Sequence, residues 1–494
     1  MTSFERIAAW AYRHRRRMVA VWVAVLVGVT AASTAIGNAY DNDFSLPGTE
    51  SHQAYEALRA GQSAQSGDAL QLVFAGRLDE RVDGVLADVR TLPHVAAVGE
   101  LQRSPDESIG YATVALDGPA TDVPKADILR IVDTARGAAG DGLRVEVGGD
   151  GVREAQEGGG GGAEGAGMLA ALIILVLLFG SLLAAALPLV TAIFAVGSTI
   201  GLIVLASHVA TFADFTPPLM MLVGLGVGID YALLIFSRFR GQLLAGDERE
   251  RAVRTALNTA GRSVFFAGCT VMFALLGLYA LGLASLQGVA LAVALTVLMT
   301  LLASLTLLPA LLGLFGARLE RSVRKRAARA DGARWQRWSA FVQRRPLPAL
   351  VAALALLLAL CAPALGMRLG FADAGSDDPA KTSRQAYDLL AEGFGPGFNG
   401  PLLVVTRGGD PERLQRTLAD TPGVAAAGPP QVQGELATVL AFPAGAPQDE
   451  ATDELIERLR GEVLPALDGT YYVGGSTAAA ADFTAKVNER MPLL

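Results

Sequence analysis

Gly224-Leu-Gly-Val-Gly-Ile-Asp-Tyr-Ala-Leu-Leu-Ile-Phe-Ser-Arg-Phe-Arg240 decides how this chain is read. It closes an apolar run, 217–236, long enough to cross a bilayer, which takes about 20 residues, and one charged residue, Asp230, sits deep inside that run. Comparable runs lie at 18–36, 168–187, 189–206, 264–286, 289–315 and 347–366, which makes seven spans. Pro188 leaves almost no loop between the second and the third, so 168–206 reads as a tight helical hairpin turning at that proline. The run at 18–36 follows Arg13, Arg15, Arg16 and Arg17 and exceeds the apolar core of a signal peptide, so it is read as a retained helix.

The whole composition agrees with the spans. Of 494 residues 52% are hydrophobic and 18% charged, with a mean hydropathy of +0.39, which argues against a soluble enzyme. A net charge of −7 leaves no basic surplus for nucleic acid. Cys269 and Cys361 each lie in an apolar run and the histidines are scattered at 14, 52, 94 and 208, so neither a disulfide framework nor a metal site is expected, and no cofactor.

Lys and Arg near the ends of spans set orientation. Segments 1–17, 237–263 and 317–345 together hold 21 basic and 6 acidic residues, whereas 37–167 and 367–494 hold 20 and 40. Basic and acidic segments alternate as seven crossings require. The N-terminus is therefore expected in the cytoplasm of a multi-pass plasma-membrane protein, with both long acidic segments outside.

Those two segments are copies. Ser51-His-Gln-Ala-Tyr-Glu-Ala-Leu58 is echoed by Ser383-Arg-Gln-Ala-Tyr-Asp-Leu-Leu390, and Val147-Gly-Gly149 by Val473-Gly-Gly475. In the first copy, strand patterns at 69–75, 96–102, 110–116 and 143–148 alternate with helical ones at 79–92 and 125–138. The second repeats them at 401–407, 424–430, 435–442 and 471–474, with helices at 411–420 and 450–464. This is the order of a split βαβ, ferredoxin-like domain. The expected fold is thus a polytopic α-helical membrane protein of about seven spans with two extracytoplasmic α+β domains. Its parts are 1–36 (N-terminus and first span), 37–167 (first outer domain), 168–316 (five-helix bundle), 317–346 (basic loop), 347–366 (seventh span) and 367–494 (second outer domain). Adding the repeat offset to Met168 reaches Leu494, so the chain is expected to be a fragment that stops before a second five-helix bundle.

One helix, a large outer domain and five helices, then the same again, resembles the resistance-nodulation-division superfamily, and most closely its MMPL (mycobacterial membrane protein large) branch. Phe179-Gly-Ser-Leu-Leu-Ala-Ala-Ala-Leu-Pro-Leu189, the 224–240 string and Ala260-Gly-Arg-Ser-Val-Phe-Phe-Ala-Gly-Cys-Thr-Val271 carry the resemblance. It implies porter-type outer domains, a bundle similar to a sterol-sensing domain, and proton-driven export of lipids or other hydrophobic molecules. It also places Asp230 and Tyr231 at the family's proton-relay pair, whose partners belong to a tenth helix that this sequence does not reach. Where the fifth helix of the family carries a relay serine stands Ala267, with Thr270 the nearest hydroxyl one turn on.

The residues support that chemistry in their own right. A mid-membrane charge costs roughly 2.5–3.5 kcal/mol on insertion scales, so Asp230 must face protein or water. Desolvation favours a protonated carboxyl, and a group that binds and releases a proton across the membrane is a means of drive. Gly224, Gly226 and Gly228 remove bulk beside it and permit close helix approach. His208 reads as an interfacial residue, and the Gly-rich link at 158–167 lacks the Lys-Ser/Thr of a phosphate loop. Expected partners are the lipid bilayer, a hydrophobic or lipid substrate and protons, together with self-association or a polypeptide supplying further helices. The alternative is a non-transporting membrane protein serving as a lipid-sensing or scaffolding subunit. A downstream reading frame encoding the further helices would decide for the transporter.

Overall fold

The computed structural model describes residues 2–40, 46, 48–60, 69–120, 123–156, 161–213, 215–281, 284–327, 333–366 and 370–490. Asp214 and residues 157–160 of the Gly-rich link lie outside them. The chain divides into two compact units, Met1–Phe44 with Gly162–Met367 and Leu493–Leu494, and Ser45–Gly161 with Arg368–Pro492. The first unit begins with α1 (Ser3–Arg13) and α2 (Arg15–Ile36). The second then supplies α3 (Glu50–Ala60), β1 (Ala69–Gly76), α4 (Glu80–Arg90), β2 (Val95–Val98), β3 (Gln102–Arg103), β4 (Ile109–Leu116), α5 (Lys125–Arg136), β5 (Leu143–Gly148) and α6 (Asp150–Gln156). The helices α7 (Gly161–Phe179), α8 (Leu182–Ala206), α9 (Thr216–Leu244), α10 (Arg249–Ala256), α11 (Arg262–Gly277), α12 (Ala284–Ala327), α13 (Ala333–Arg344) and α14 (Pro346–Cys361) follow. The chain closes with α15 (Thr382–Phe394), β6 (Leu402–Arg407), α16 (Pro411–Ala419), β7 (Val424–Ala427), β8 (Gln431–Gln433), β9 (Leu436–Pro443), α17 (Glu450–Arg458), β10 (Thr470–Gly474) and α18 (Ser476–Arg490).

Six of the described helical stretches are long and apolar enough to cross a membrane, and the apolar part of α7, Gly165–Phe179, is a shorter seventh. The hairpin turns earlier than the sequence suggests. Gly180 adopts φ +67, the left-handed conformation that glycine takes without steric cost, and ends α7; Ser181 then caps α8. Pro188 lies inside α8, as neighbouring helices permit in a membrane bundle. The fifth span also differs from its expected limits. It begins with α10, passes through a π-turn at Leu257–Gly261, and α11 gives way to a 3-10 turn at Leu278–Leu281.

Small residues let the helices close up. A Cβ at Gly201 would lie 2.5 Å from Val29 of α2, so bulk there would force the helices apart, and one at Gly288 would lie 2.4 Å from the carbonyl of Thr211 in the segment between α8 and α9. Trp22 fills the gap between α2 and α12 and donates its Nε1–H to Thr306 Oγ1 at 3.1 Å. Phe179 and Phe236 meet edge to face at 4.8 Å.

In the second unit the two sheets have the same order, β2-β4-β1-β5 and β7-β9-β6-β10, all antiparallel. The second strand expected in each copy is broken. β2 and β3 pair separately with β4, and β7 and β8 separately with β9, with a register shift at Val95/Ala97 and at Val424/Ala426. Strand alternation sends Leu70, Leu72 and Phe74 into a core with Val82, Val89 and Ile131 of α4 and α5, while Val73 points to the opposite face.

That opposite face is covered by the other copy. α15 packs Ala386, Leu389 and Leu390 against Val73 and Ile109 of the first sheet, and α3 packs Ala54 and Ala57 against Val405 and Leu436 of the second. The shared Gln-Ala-Tyr and Val-Gly-Gly strings are the two sides of this exchange. A Cβ at Gly148 would lie 3.2 Å from Ala386 Cβ, and one at Gly474 2.7 Å from Ala54 Cβ. The second glycine of each doublet turns the chain, with φ +112 at Gly149 and +95 at Gly475.

Polar latches seat both helices. Thr382 Oγ1 accepts the Val147 N–H at 2.8 Å and donates to the buried Glu146 at 2.7 Å, and Arg136 and Arg144 pair with the same carboxylate. In the other copy Glu50 Oε1 accepts the Val473 N–H at 2.7 Å, and Arg460 joins Glu50 at 3.4 Å to Asp482 at 2.6 Å. Burial pushes the Glu50 carboxyl above its ordinary range, against the pull of the Val473 N–H and Arg460.

Candidate functional site in the membrane bundle

α9 starts with prolines in its first turn, where a missing N–H costs nothing, and runs without a break through Asp230. Its two faces differ. Gly224 and Gly228, one turn apart, are buried: a Cβ at 224 would lie 2.4 Å from Thr296 Cγ2 and 2.7 Å from Val196, and one at 228 would lie 3.0 Å from Ala192 and 3.2 Å from Thr300. Ala232 continues this seam one turn further. Leu222, Gly226, Asp230 and Leu234 form the other face at four-residue spacing and are exposed within this chain. Gly226 departs from the packing expected of it, since a Cβ there would meet nothing within 4 Å.

Asp230 is therefore placed at the middle of an open helix face rather than in the packed interior. No Lys or Arg pairs with it among the described residues. Tyr231 turns the other way, half-buried in the bundle core, with its ring 3.6 Å from where a Cβ of Gly268 would lie. Its hydroxyl is buried without a hydrogen-bond partner among the described residues. Thr270 is exposed on α11 and donates to the Phe266 carbonyl at 2.9 Å. Asp230, Tyr231 and Thr270 are not joined by hydrogen bonds, so the geometry is that of one carboxylate with two separate hydroxyls. His208 is exposed in the turn after α8.

Behind α9 lies a feature that the sequence reading missed. Thr296, Thr300 and Ser304 follow one another at four-residue spacing on α12 and are all buried. The threonine hydroxyls donate to Ala292 and Val297 carbonyls of their own helix at 2.8 Å, which leaves their methyls to fill the space beside the glycines. Ser304 and Ser198 keep buried hydroxyls without partners among the described residues. Gly-x-x-x-Gly in one apolar run facing Thr-x-x-x-Thr-x-x-x-Ser in another was the available signal.

Comparison with known proteins places this arrangement in a family. Residues 30–349 match the MMPL family model. Membrane protein YdfJ of Bacillus subtilis is 30% identical over 99% of this chain and 70% of its own length. The mycolic acid-containing lipids exporter MmpL11 of Mycolicibacterium smegmatis is 36% identical over 64% of this chain, which covers 35% of that protein. The heme uptake protein MmpL11 of Mycobacterium tuberculosis is 31% identical over 96% of this chain and 53% of its own length, so the chain spans about half or less of these two relatives. The match over 320 residues of open-faced bundle and first ferredoxin-like domain establishes that the chain belongs to the MMPL family.

Proposed function

We propose that this membrane protein is a transporter driven by the proton-motive force, exporting lipids or other hydrophobic molecules across the plasma membrane. Its N-terminus lies in the cytoplasm and its ferredoxin-like domains lie outside. Family membership supports transport, and the relatives named for a lipid exporter and for heme uptake support a hydrophobic cargo. The charge difference between the basic and acidic segments supports the orientation.

The observation that carries the proton-driven reading is Asp230 on the open face of α9 between Leu222, Gly226 and Leu234. A carboxyl within an apolar span is a group that can take up a proton and hand it on, and such residues mark proton relays. One proton crossing with the membrane potential yields about 2.3 kcal/mol per 100 mV, enough to bias two conformations of a helix. Gly224 and Gly228 act as the close-packed pivot against α8 and α12, with Tyr231 and Thr270 as hydroxyls flanking the relay. A partner helix, from self-association or from another polypeptide, would complete the relay opposite Asp230.

In cells that depend on this protein, Asp230→Asn is expected to abolish export while expression and membrane insertion stay unchanged, and Asp230→Glu to retain part of it. Export at the wild-type rate by Asp230→Asn would overturn the relay role of Asp230, whereas absence of export by the wild-type protein would leave the lipid-sensing or scaffolding role in place of the transporter.

A further inference from the structure

α1 was legible in the sequence only as a basic stretch, and in the structure it is a docked amphipathic helix. Ala8, Ala9 and Ala11 are buried, whereas Ile7 is 38% and Trp10 54% exposed. Polar contacts along its length fix which face points inward. Thr2 caps the helix and donates to Asn258 Oδ1 at 2.7 Å, Glu5 pairs with Arg254 at 3.9 Å, and Arg13 pairs with Glu250 at 3.0 Å. Gly313 of α12 admits the ring of Tyr12, which would lie 3.1 Å from a Cβ there.

Only His14 separates α1 from α2, so a membrane-spanning α2 holds α1 at the bilayer boundary. Arg6 and Trp10 are exposed one turn apart on α1, and Arg16 and Arg17, in the first turn of α2, are exposed without an acidic partner among the described residues. We propose that this face is a docking surface for anionic phospholipid headgroups of the adjoining leaflet. Trp10 enters the interface, where tryptophan concentrates, and Arg6, Arg16 and Arg17 take the phosphates. Charge favours lipid as the occupant, because the exposed surface pairs an indole with unneutralised guanidinium groups, the combination that suits a headgroup layer. The proposal does not depend on transport.

The test uses the full chain in nanodiscs of phosphatidylcholine that contain a minority of brominated lipid, either phosphatidylglycerol or phosphatidylcholine. The Trp10 signal is the difference between wild type and Trp10→Phe. Brominated phosphatidylglycerol is expected to quench that signal about twofold more than brominated phosphatidylcholine, and Arg6→Gln with Arg16→Gln and Arg17→Gln to remove the difference. Equal quenching by both lipids in wild type would overturn the proposal, as would absence of quenching by either. Retention of the difference in the triple variant would overturn the role of the arginines.

Discussion

At the scale of single residues, glycines at four positions play three separable parts. Gly224 lets α9 touch Thr296 and Val196, while Gly226, two residues on, faces open space. Gly224→Val should therefore lower the melting temperature of the detergent-solubilised chain, since overpacking costs about 1–3 kcal/mol, whereas Gly226→Val should leave it unchanged. The outer doublets allow a finer comparison, because Ala54 sits 2.7 Å from a Cβ at Gly474 and Ala386 sits 3.2 Å from one at Gly148. Gly474→Ala should strip hydrogen-exchange protection from α3 by about 1–3 kcal/mol, and Gly148→Ala should cost α15 less. The sequence made Asp230 conspicuous because a charge in an apolar run is rare by physical necessity. It could not separate Gly226 from Gly224, since which face of a helix is covered depends on its neighbours. Nor could it reveal that Thr270 spends its hydroxyl on the Phe266 carbonyl.

At the scale of elements, the exchange of α3 and α15 organises the ferredoxin-like pair. The entry to α15 is held by Asp377, which pairs with Arg153 of α6 at 3.0 Å and accepts from Ser383 at 3.1 Å. Burial pushes the Asp377 carboxyl up, but the Arg153 guanidinium and the Ser383 hydroxyl outweigh it and hold it below the ordinary carboxylate range. A depressed folded-state value means that this stabilisation is fully present above the unfolded pKa, about 3.9, and is lost as pH falls through the folded value. Hydrogen exchange of α15 in the intact protein, corrected for intrinsic rates, should accelerate only in that acid range. Asp377→Asn should accelerate it at neutral pH by the equivalent of about 1 kcal/mol and flatten the acid response. The strand and helix order of both copies was legible from periodicity, and so was the duplication. What periodicity could not supply was partnership: the Gln-Ala-Tyr and Val-Gly-Gly strings stand in the same chain copy, yet each meets its counterpart in the other. The hairpin turn went to Gly180 for a related reason. A proline in a membrane helix is tolerated when neighbours satisfy the freed carbonyl, and only the structure shows that Gly180 takes the turn conformation.

At the scale of the molecule, a net charge of −7 conceals two populations of opposite sign, and the apolar helix α9 carries one carboxylate on a face that no described residue covers. The match to the MMPL family model covers the bundle and the first ferredoxin-like domain. It leaves the drive to be decided by Asp230. Proton entry into proteoliposomes, followed with a trapped pH-sensitive dye after a pH step at fixed membrane potential, addresses this most directly. The account predicts cargo-dependent proton flux through the wild-type protein and flux no greater than that of protein-free liposomes through Asp230→Asn. Equal flux through the two would contradict it.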